Sequence, residues 1–241
     1  MLSRSPSPDF DPSMMSIDFA PLPEYISACD TNLDFGGLLS TPLKVHEDRK
    51  SGCGGQTWPA GVVLARHMLR YHRDSLKDAR ILEIGAGGGL VGLAVANGCK
   101  PQKPLYITDQ LEMLELMGHN IVLNEAEGHV KAMILNWGEP LPAEIQQIKP
   151  DVILAADCAY YEPSFPLLLQ TLRDLLALCP SATIYFCFMK RRRADTQFIK
   201  NAKKSFLVTE VADDDRPVFS RAGLFLYAFT SKERPADAPT S

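Results

Sequence analysis

Residues 79–89 read ARILEIGAGGG, a short apolar segment that runs directly into four glycines within five residues. The apolar part, 79–84, has the length and composition of a buried strand. Glycine permits sharp turns and lets a ligand approach the main chain closely. In an open α/β sheet, a loop at the carboxyl end of a strand is where ligands bind. This segment therefore predicts a ligand-binding loop in preference to an ordinary tight turn.

Strand and helix patterns alternate on both sides of this loop. Alternation of this kind implies a parallel sheet that is covered on both faces. The last two predicted strands have no helix between them, so they should pair antiparallel. We expect an α/β, Rossmann-like fold with a seven-stranded, mostly parallel twisted sheet, one antiparallel strand and helices on both faces. The further strands are predicted over 105–108, 130–135, 151–156, 183–188, 206–211 and 224–229, and the helices over 61–69, 90–97, Leu111–Leu123, Phe165–Leu178 and 194–204.

The two ends of the chain differ in composition from this domain. Residues 1–40 carry Ser, Pro and Asp without periodicity, and 233–241 read the same way. We expect both segments to be largely disordered, with one domain over 41–232. The start lacks the apolar stretch of a signal peptide, and no apolar run reaches the length of a membrane span. The six cysteines lie far apart, which fits a reducing compartment. We therefore expect a cytoplasmic protein.

Net charge and histidine spacing exclude two kinds of function. The 241-residue chain carries a formal net charge of −4, whereas general binding to nucleic acid requires a basic surface. The five histidines show no metal-binding spacing. We expect no zinc site, no direct contact with nucleic acid and a monomeric protein.

The register of the glycine loop discriminates between two cofactors. Residues 87–92 formally match the dinucleotide-binding pattern G-x-G-x-x-G. However, the predicted strand ends at Ile84, so the first glycine of the turn should be Gly85. In that register the third glycine position falls on Leu90, which is too large for the packing role of that glycine. A nicotinamide dinucleotide is therefore disfavoured.

Two carboxylates accompany the loop. Glu83 lies inside an E-x-G-x-G-x-G run, where an acidic side chain can hold ordered water or the amino group of a methionine-derived ligand. Asp109 ends the next predicted strand, about 20 residues past the loop, where a carboxylate can accept both ribose hydroxyls. A nicotinamide cofactor would use the same carboxylate, so Asp109 does not discriminate and Glu83 favours the methionine-derived ligand.

Three further motifs make a resemblance specific. They are G-Q-T-W-P-A over 55–60, L-N-W-G over 135–138 and A-A-D-C-A-Y-Y over 155–161. Taken in order with the glycine loop, they resemble the family-16 protein-lysine methyltransferases, which are class I, or seven-β-strand, methyltransferases. Within that family the likeness is strongest to the fungal elongation-factor lysine methyltransferases. The resemblance covers roughly residues 40–230.

The resemblance implies S-adenosylmethionine as the cofactor and gives roles to matching positions. Trp58 would close over the methionine end and Trp137 would pack on the adenine, with residues 85–87 as the cradle and Ala156 on the pocket floor. An indole suits adenine, because stacking of a base on an aromatic ring is worth about 1–3 kcal/mol. The cofactor-binding residues expected in this way are Trp58, Glu83, Gly85, Ala86, Gly87, Asp109, Trp137 and Ala156.

Asp157 and Tyr160 are the candidate catalytic residues. Asp157 follows the fourth strand, too far from the helix at Phe165 to be a direct cap. The resemblance pairs it with Tyr160 in a D-x-x-Y motif, although Tyr161 remains an alternative. A carboxylate alone would keep a substrate lysine protonated. A sulfonium about 4 Å away opposes this by about 4 kcal/mol at an effective dielectric of 20, or about three pKa units. We expect Asp157 to orient the amine and Tyr160 to shape an aromatic channel.

The expected function is methylation of a protein lysine, with elongation factor 1-alpha implied as substrate by the resemblance alone. Another protein, a histidine or a small molecule remains open as the acceptor. Two other classes are a nicotinamide oxidoreductase and an interaction module that binds a cofactor without catalysis, which the D-x-x-Y motif opposes.

Three weaker signals receive ordinary interpretations. The basic run 190–193 is expected to be a solvated helix start, or else a grip on an acidic protein surface. Asn120 and Asn124 are expected to end a helix, and the acidic run 213–215 is expected to be a solvated loop.

Overall fold

The computed structural model describes residues 28–48 and 53–232 of the chain. Nine strands and seven α-helices are formed in this part. The strands are β1 (Cys29–Leu33), β2 (Leu43–Glu47), β3 (Ile81–Ile84), β4 (Leu105–Asp109), β5 (Val130–Ile134), β6 (Val152–Ala156), β7 (Thr183–Met189), β8 (Phe206–Glu210) and β9 (Leu224–Ser231). The helices are α1 (Pro59–Tyr71), α2 (Leu90–Cys99), α3 (Leu111–Leu123), α4 (Ala143–Ile148), α5 (Phe165–Leu178), α6 (Arg193–Ser205) and α7 (Arg216–Phe219).

Seven strands form one sheet in the order β5-β4-β3-β6-β7-β9-β8. The first five of these pair parallel, whereas β9 is antiparallel to both β7 and β8. The predicted sheet, including its one reversed strand, is confirmed. From β3 the chain builds first outward to β4 and β5, then returns to β6 on the other side. The topological switch point therefore lies at the carboxyl ends of β3 and β6, where ligands bind in such sheets.

Apolar side chains fill both faces of this sheet. Side chains alternate along β3, so that Ile81 packs on one face while Leu82 and Ile84 pack on the other. Helices α1, α2 and α3 cover the first face, and α5 and α6 cover the second. With both faces buried, the central strands are almost wholly apolar, which is why Glu83 stands out among them. No described helix combines the length and apolar character that crossing a membrane requires.

A hairpin precedes the sheet, and it includes residues that the sequence analysis assigned to the N-terminal segment. Strands β1 and β2 pair antiparallel, and Phe35 and Leu39 in the turn between them are buried in the core. Residues 28–40 were expected to belong to a disordered segment because their apolar residues show no period. Isolated anchors of this kind bury apolar surface without leaving a periodic pattern. The rest of the expected disordered segments, 1–27 and 233–241, lies outside the described residues.

Two short helices also differ from expectation. Helix α4 has six residues, and α7 has four and continues into a 3-10 turn over Ser220–Ala222. The prediction that no helix separates the last two strands was therefore wrong. Helices this short hold too few residues to show a 3.6-residue period. Because α7 does not cross over the sheet, β8 and β9 still pair antiparallel.

Candidate active site

A cavity of about 880 Å³ opens at the carboxyl ends of the parallel strands. Its volume lies within the range of about 300–1,000 Å³ that is usual for small-molecule sites. Residues predicted to bind the cofactor and the candidate catalytic pair share this one cavity. Its lining includes Trp58, Glu83, Gly85, Ala86, Gly87, Asp109, Trp137, Ala156, Asp157 and Tyr160.

The glycine loop has a conformation that other residues would strain. Gly85 and Gly87 have φ of +58° and +54°, a region that favours glycine. A Cβ at Gly85 would lie 2.8 Å from both Trp137 Cζ2 and Cys158 Sγ. A Cβ at Gly87 would lie 2.3 Å from the carbonyl oxygen of Gly54. Glycine is therefore required at both positions, and the backbone of the loop is exposed to the cavity.

Asp109 joins the end of β4 to the glycine loop. The backbone N–H of Gly87 donates to Asp109 Oδ2 at 2.7 Å, and the N–H of Gln110 donates to Oδ1 at 2.7 Å. Burial raises the pKa of this carboxyl group, and the two N–H donors oppose the rise. A carboxylate has about four lone-pair positions. Each oxygen of Asp109 therefore keeps acceptor capacity for a ligand hydroxyl.

Glu83 is a buried carboxyl group with a structural contact of its own. Its side chain lines the cavity although the residue is only 2% exposed. Glu83 Oε2 accepts from the N–H of Gly92 at 2.7 Å, in the first turn of α2, where a negative charge is favourable. Burial raises the pKa of Glu83 to about 8. A cationic group that entered the cavity near Glu83 would favour its ionised form.

Both tryptophans of the chain line the cavity. Trp137 follows β5 and its ring lies against Gly85. Trp58 immediately precedes α1, which begins at Pro59. The guanidinium carbon of Arg191 lies 5.2 Å from the centroid of the Trp58 ring, a cation–π distance. Both indoles are half-buried and face the cavity, so neither is an ordinary core residue.

Asp157 is held by an arginine that the sequence patterns did not indicate. Arg191 Nη1 donates to Asp157 Oδ1 at 2.9 Å and Nη2 donates to Oδ2 at 2.6 Å, which makes the pair bidentate. The N–H of Met189 donates weakly to Oδ1 at 3.3 Å. Asp157 has φ of +54°, and its own N–H donates to the carbonyl of Cys187 at 2.8 Å. The carboxylate is thus fixed at the cavity wall.

Arg191 belongs to the basic run that was expected to be a solvated helix start, and for this residue the expectation was wrong. The sheet register indicates that Arg191 lies near Asp157, because β6 pairs with β7 so that Ala156 lies opposite Cys187. Residues shortly after these two strands therefore reach the same edge. Asp195 holds the loop in shape, because its buried carboxylate accepts from the N–H groups of Arg191 and Arg192 at 2.7 and 2.8 Å.

Exposed apolar side chains surround the mouth of the cavity. Tyr160 is 44% exposed and Tyr161 is 57% exposed, and Leu111 and Leu167 are also exposed. All four line the cavity. Isolated exposed apolar residues are ordinary, whereas a group at the rim of a cavity indicates an interaction surface.

Asn120 and Asn124 brace the site from α3 and do more than end that helix. Asn120 is fully buried: its Nδ2 donates to the carbonyl of Gly88 at 2.9 Å, and its Oδ1 accepts from the N–H of His46 at 2.8 Å. Asn124 pairs in the same way with the backbone of Lys44 in β2. These contacts join β2 to the glycine loop across distant parts of the chain.

The acidic run 213–215 is also tied to the domain, against expectation. Asp213 Oδ2 lies 2.8 Å from His67 Nδ1 in α1, and both side chains are almost fully buried. Burial lowers the pKa of His67, and Asp213 opposes this effect. Asp215 forms ion pairs with Arg66 and Arg70 at 2.9 and 3.0 Å. Two of the three acids therefore tie the segment before α7 to helix α1, Asp213 through a buried contact and Asp215 through partly exposed ion pairs.

Among the described residues, no group of three or more His, Cys, Asp or Glu side chains is arranged to hold a metal ion. The sheet order, the glycine turn at its switch point and the acidic residue ending β4 define a class I methyltransferase, a class that in general uses S-adenosylmethionine. A family model described as lysine methyltransferase matches residues 38–205. The chain therefore belongs to this lysine methyltransferase family, as the motif order predicted.

Two curated relatives illustrate the family. Over 204 residues the chain is 39% identical to Protein-lysine N-methyltransferase EFM6 of Saccharomyces cerevisiae, covering 76% of this chain and 83% of the relative. Over 171 residues it is 32% identical to EEF1A lysine methyltransferase 3 of Mus musculus, covering 69% of each chain. Both relatives are named as lysine methyltransferases, which agrees with the family model.

A comparison with solved structures bears on the fold alone. The CMeT domain of citrinin polyketide synthase aligns with a TM-score of 0.52 at 15% sequence identity. The match covers 72% of this chain and 53% of that one, so the chain spans about half the length of the solved structure.

Proposed function

We propose that this chain binds S-adenosylmethionine in the cavity and transfers its methyl group to a lysine of elongation factor 1-alpha. The observation that carries the proposal is the convergence of the glycine turn, two carboxylates, two indoles and Asp157 on one cavity. The residues present fit the cofactor. The turn at Gly85 and Gly87 exposes backbone where a Cβ would clash, and Asp109 retains acceptors for two hydroxyls.

Each end of the cofactor has a partner of suitable chemistry. Asp109 would accept the ribose hydroxyls, and Trp137 would pack on the adenine. Glu83 would face the methionine amino group, whose positive charge favours the ionised carboxylate. Trp58 would close over the methionine end, beside Asp157. In this order the reactive sulfur would lie toward the wall that carries Asp157 and Tyr160.

S-adenosylmethionine supplies an electrophilic methyl group on a positively charged sulfur. An acceptor lysine would have to arrive with its Nζ neutral to take this methyl group, and the sulfur would leave as the thioether of S-adenosylhomocysteine. The proton that the lysine loses passes to solvent. Asp157 orients the amine by accepting a hydrogen bond from one of its N–H groups. Tyr160 shapes the channel through which the lysine side chain enters. Alignment of the reacting atoms supplies much of the rate.

A protein acceptor is supported by the rim of the cavity. The exposed side chains of Leu111, Tyr160, Tyr161 and Leu167 offer apolar surface that a folded substrate can cover. Elongation factor 1-alpha as the substrate is supported by the name of the mouse relative, EEF1A lysine methyltransferase 3. A nicotinamide dinucleotide fits less well, because Leu90 occupies the position of the third glycine and is buried there.

The compartment and the assembly state belong to the same proposal. We place the enzyme in the cytoplasm as a monomer. Support for a reducing compartment comes from the cysteines whose state the structure describes, which are free thiols: Cys29, Cys99, Cys158, Cys179 and Cys187.

The proposal is tested with an extract of Saccharomyces cerevisiae cells that lack the EFM6 relative. The purified protein and S-adenosylmethionine with a radioactive methyl group are added, and the labelled band is identified by mass spectrometry. The expected result is one band, elongation factor 1-alpha, labelled on lysine. Label on another protein would refute that substrate. Label on histidine or in small molecules would refute lysine methylation. A purified protein that binds NADH and does not bind S-adenosylmethionine would refute the enzyme class.

A further inference from the structure

The contact between Asp157 and Arg191 has a chemical consequence for the acceptor. Three N–H donors occupy Asp157: two from Arg191 and the weak one from Met189. A carboxylate has about four lone-pair positions, so about one remains for a substrate amine. The Asp157 side chain is 4% exposed and that of Arg191 is 31% exposed. Both residues line the cavity, so we assign the open position to an amine that enters there.

Charge makes the same contact important for reactivity. An isolated carboxylate beside a lysine favours the ammonium form, which cannot attack a methyl group. The guanidinium of Arg191 cancels that charge while leaving the acceptor in place. Arginine suits this charge-neutralising role, because its planar guanidinium can form two parallel hydrogen bonds with a carboxylate. The guanidinium also stays protonated at all working pH values. The hydrogen bond to Asp157 raises the pKa of Arg191 further.

We infer that Arg191 is a positioning residue for methyl transfer, which fixes Asp157 by a bidentate contact and neutralises its charge so that the arriving lysine loses its proton. The inference rests on the proposed function. Trp58 completes the arrangement, since its ring lies beneath the guanidinium at 5.2 Å. The neutral pair of Asp157 and Arg191 thus orients the amine without stabilising the ammonium.

Other titratable and charged groups face this pair from the surrounding elements. Burial raises the pKa of Cys158 and of Cys187 well above the ordinary value of a thiol. Glu83, with a pKa of about 8, lies at the cofactor end of the cavity. These groups are common to wild type and to each Arg191 variant, so a difference between their pH profiles belongs to residue 191. Among the described residues, the titratable groups that line the same cavity or interact with Asp157 or Arg191 include Glu47, Glu83, Asp109, Cys158, Tyr160, Cys187 and Asp195.

The test compares Arg191→Gln, which loses the positive charge, with Arg191→Lys, which keeps the charge and loses the bidentate contact with Asp157. The exposed neighbour Arg193 provides the control variant Arg193→Gln. Turnover at saturating S-adenosylmethionine is measured from pH 6.5 to 10, as label entering the band that the wild-type enzyme labels in the yeast extract. A measurement without turnover accompanies it. Calorimetry in two buffers counts the protons released when that acceptor protein binds enzyme saturated with S-adenosylhomocysteine.

We expect Arg191→Gln to shift the rising limb of the profile by roughly one to two pH units toward alkaline and to reduce proton release. Arg191→Lys should lose activity by a similar factor at every pH, and Arg193→Gln should match wild type. A parallel, unshifted profile in Arg191→Gln, or an equal shift in Arg193→Gln, overturns the inference. If the labelled band is not elongation factor 1-alpha, only the substrate proposal fails, because the comparison is made on that band. If the wild-type enzyme labels no band, both fail.

Discussion

Asp109 has a defined hydrogen-bonding role, and its removal should weaken binding of S-adenosylmethionine. Asp109→Ala removes the acceptors proposed for the ribose hydroxyls, and a hydrogen bond to a charged group is worth about 1.5–3 kcal/mol. We predict that the dissociation constant rises roughly 10- to 100-fold, measured by calorimetry. Asp109→Asn, which keeps an acceptor for the N–H of Gly87, should lose less. An unchanged affinity in folded Asp109→Ala would refute the ribose assignment.

Glu83 should make the stability of the ligand-free protein depend on pH. Its pKa is about 8 in the folded chain against an ordinary value of 4.5, so between these values the folded state holds a proton that the unfolded state has released. The free energy of unfolding therefore falls as pH rises, by up to about 1.4 kcal/mol per pH unit for this group. The effect is complete once the pH has passed about 8.

Glu83→Gln isolates this contribution, because glutamine keeps an acceptor for the N–H of Gly92 and cannot ionise. Urea unfolding of both proteins at pH 5, 6, 7 and 8 should show a shallower decline in the variant. Parallel declines would mean that Glu83 is already ionised in the folded protein.

At the scale of secondary structure, helix α3 and strand β2 support the glycine loop through Asn120. Asn120→Ala leaves the carbonyl of Gly88 and the N–H of His46 without this partner, and an unsatisfied buried polar group costs about 1–3 kcal/mol. We predict a loss of roughly 2–4 kcal/mol in the free energy of unfolding, together with weaker binding of S-adenosylmethionine. Asn124→Ala is the matched control, since its contacts with Lys44 are more exposed. Equal effects in both variants would contradict a specific link to the loop.

The elements differ in how far sequence patterns predict them. Strands of the sheet and the long helices follow from local periodicity, because their burial repeats every two or 3.6 residues. The hairpin of β1 and β2 leaves no such period, since it is anchored by a few residues such as Phe35 and Leu39. Asn120 contacts residues 32 and 74 positions away. A local sequence pattern cannot predict a hydrogen-bond partner at such a separation along the chain.

At the scale of the whole molecule, the fold gathers the cavity from loops that follow successive parallel strands. Glu83 is the last residue but one of β3, Asp109 ends β4 and Asp157 directly follows β6, so the rule that ligands bind at the carboxyl ends of strands predicts them. Arg191 lies in a basic run whose charge alone suggests solvent. Its role depends on the pairing of β6 with β7, which is known only once the sheet is assembled. The motifs thus predicted residues that line one cavity, and the three-dimensional contacts supplied the partner of Asp157.

The central claim is that one cavity binds S-adenosylmethionine and, separately, presents a lysine to it at Asp157. The most direct test measures cofactor affinity and methylation on the same preparations of wild type, Asp157→Ala and Asp157→Asn, with folding checked by thermal unfolding. The account predicts nearly unchanged cofactor affinity and a fall in methylation on the order of 100-fold, because a small misplacement of the attacking group is costly. Full activity in the folded variants would contradict the claim. Joint loss of affinity and activity would also contradict it, since Asp157 would then be a cofactor ligand.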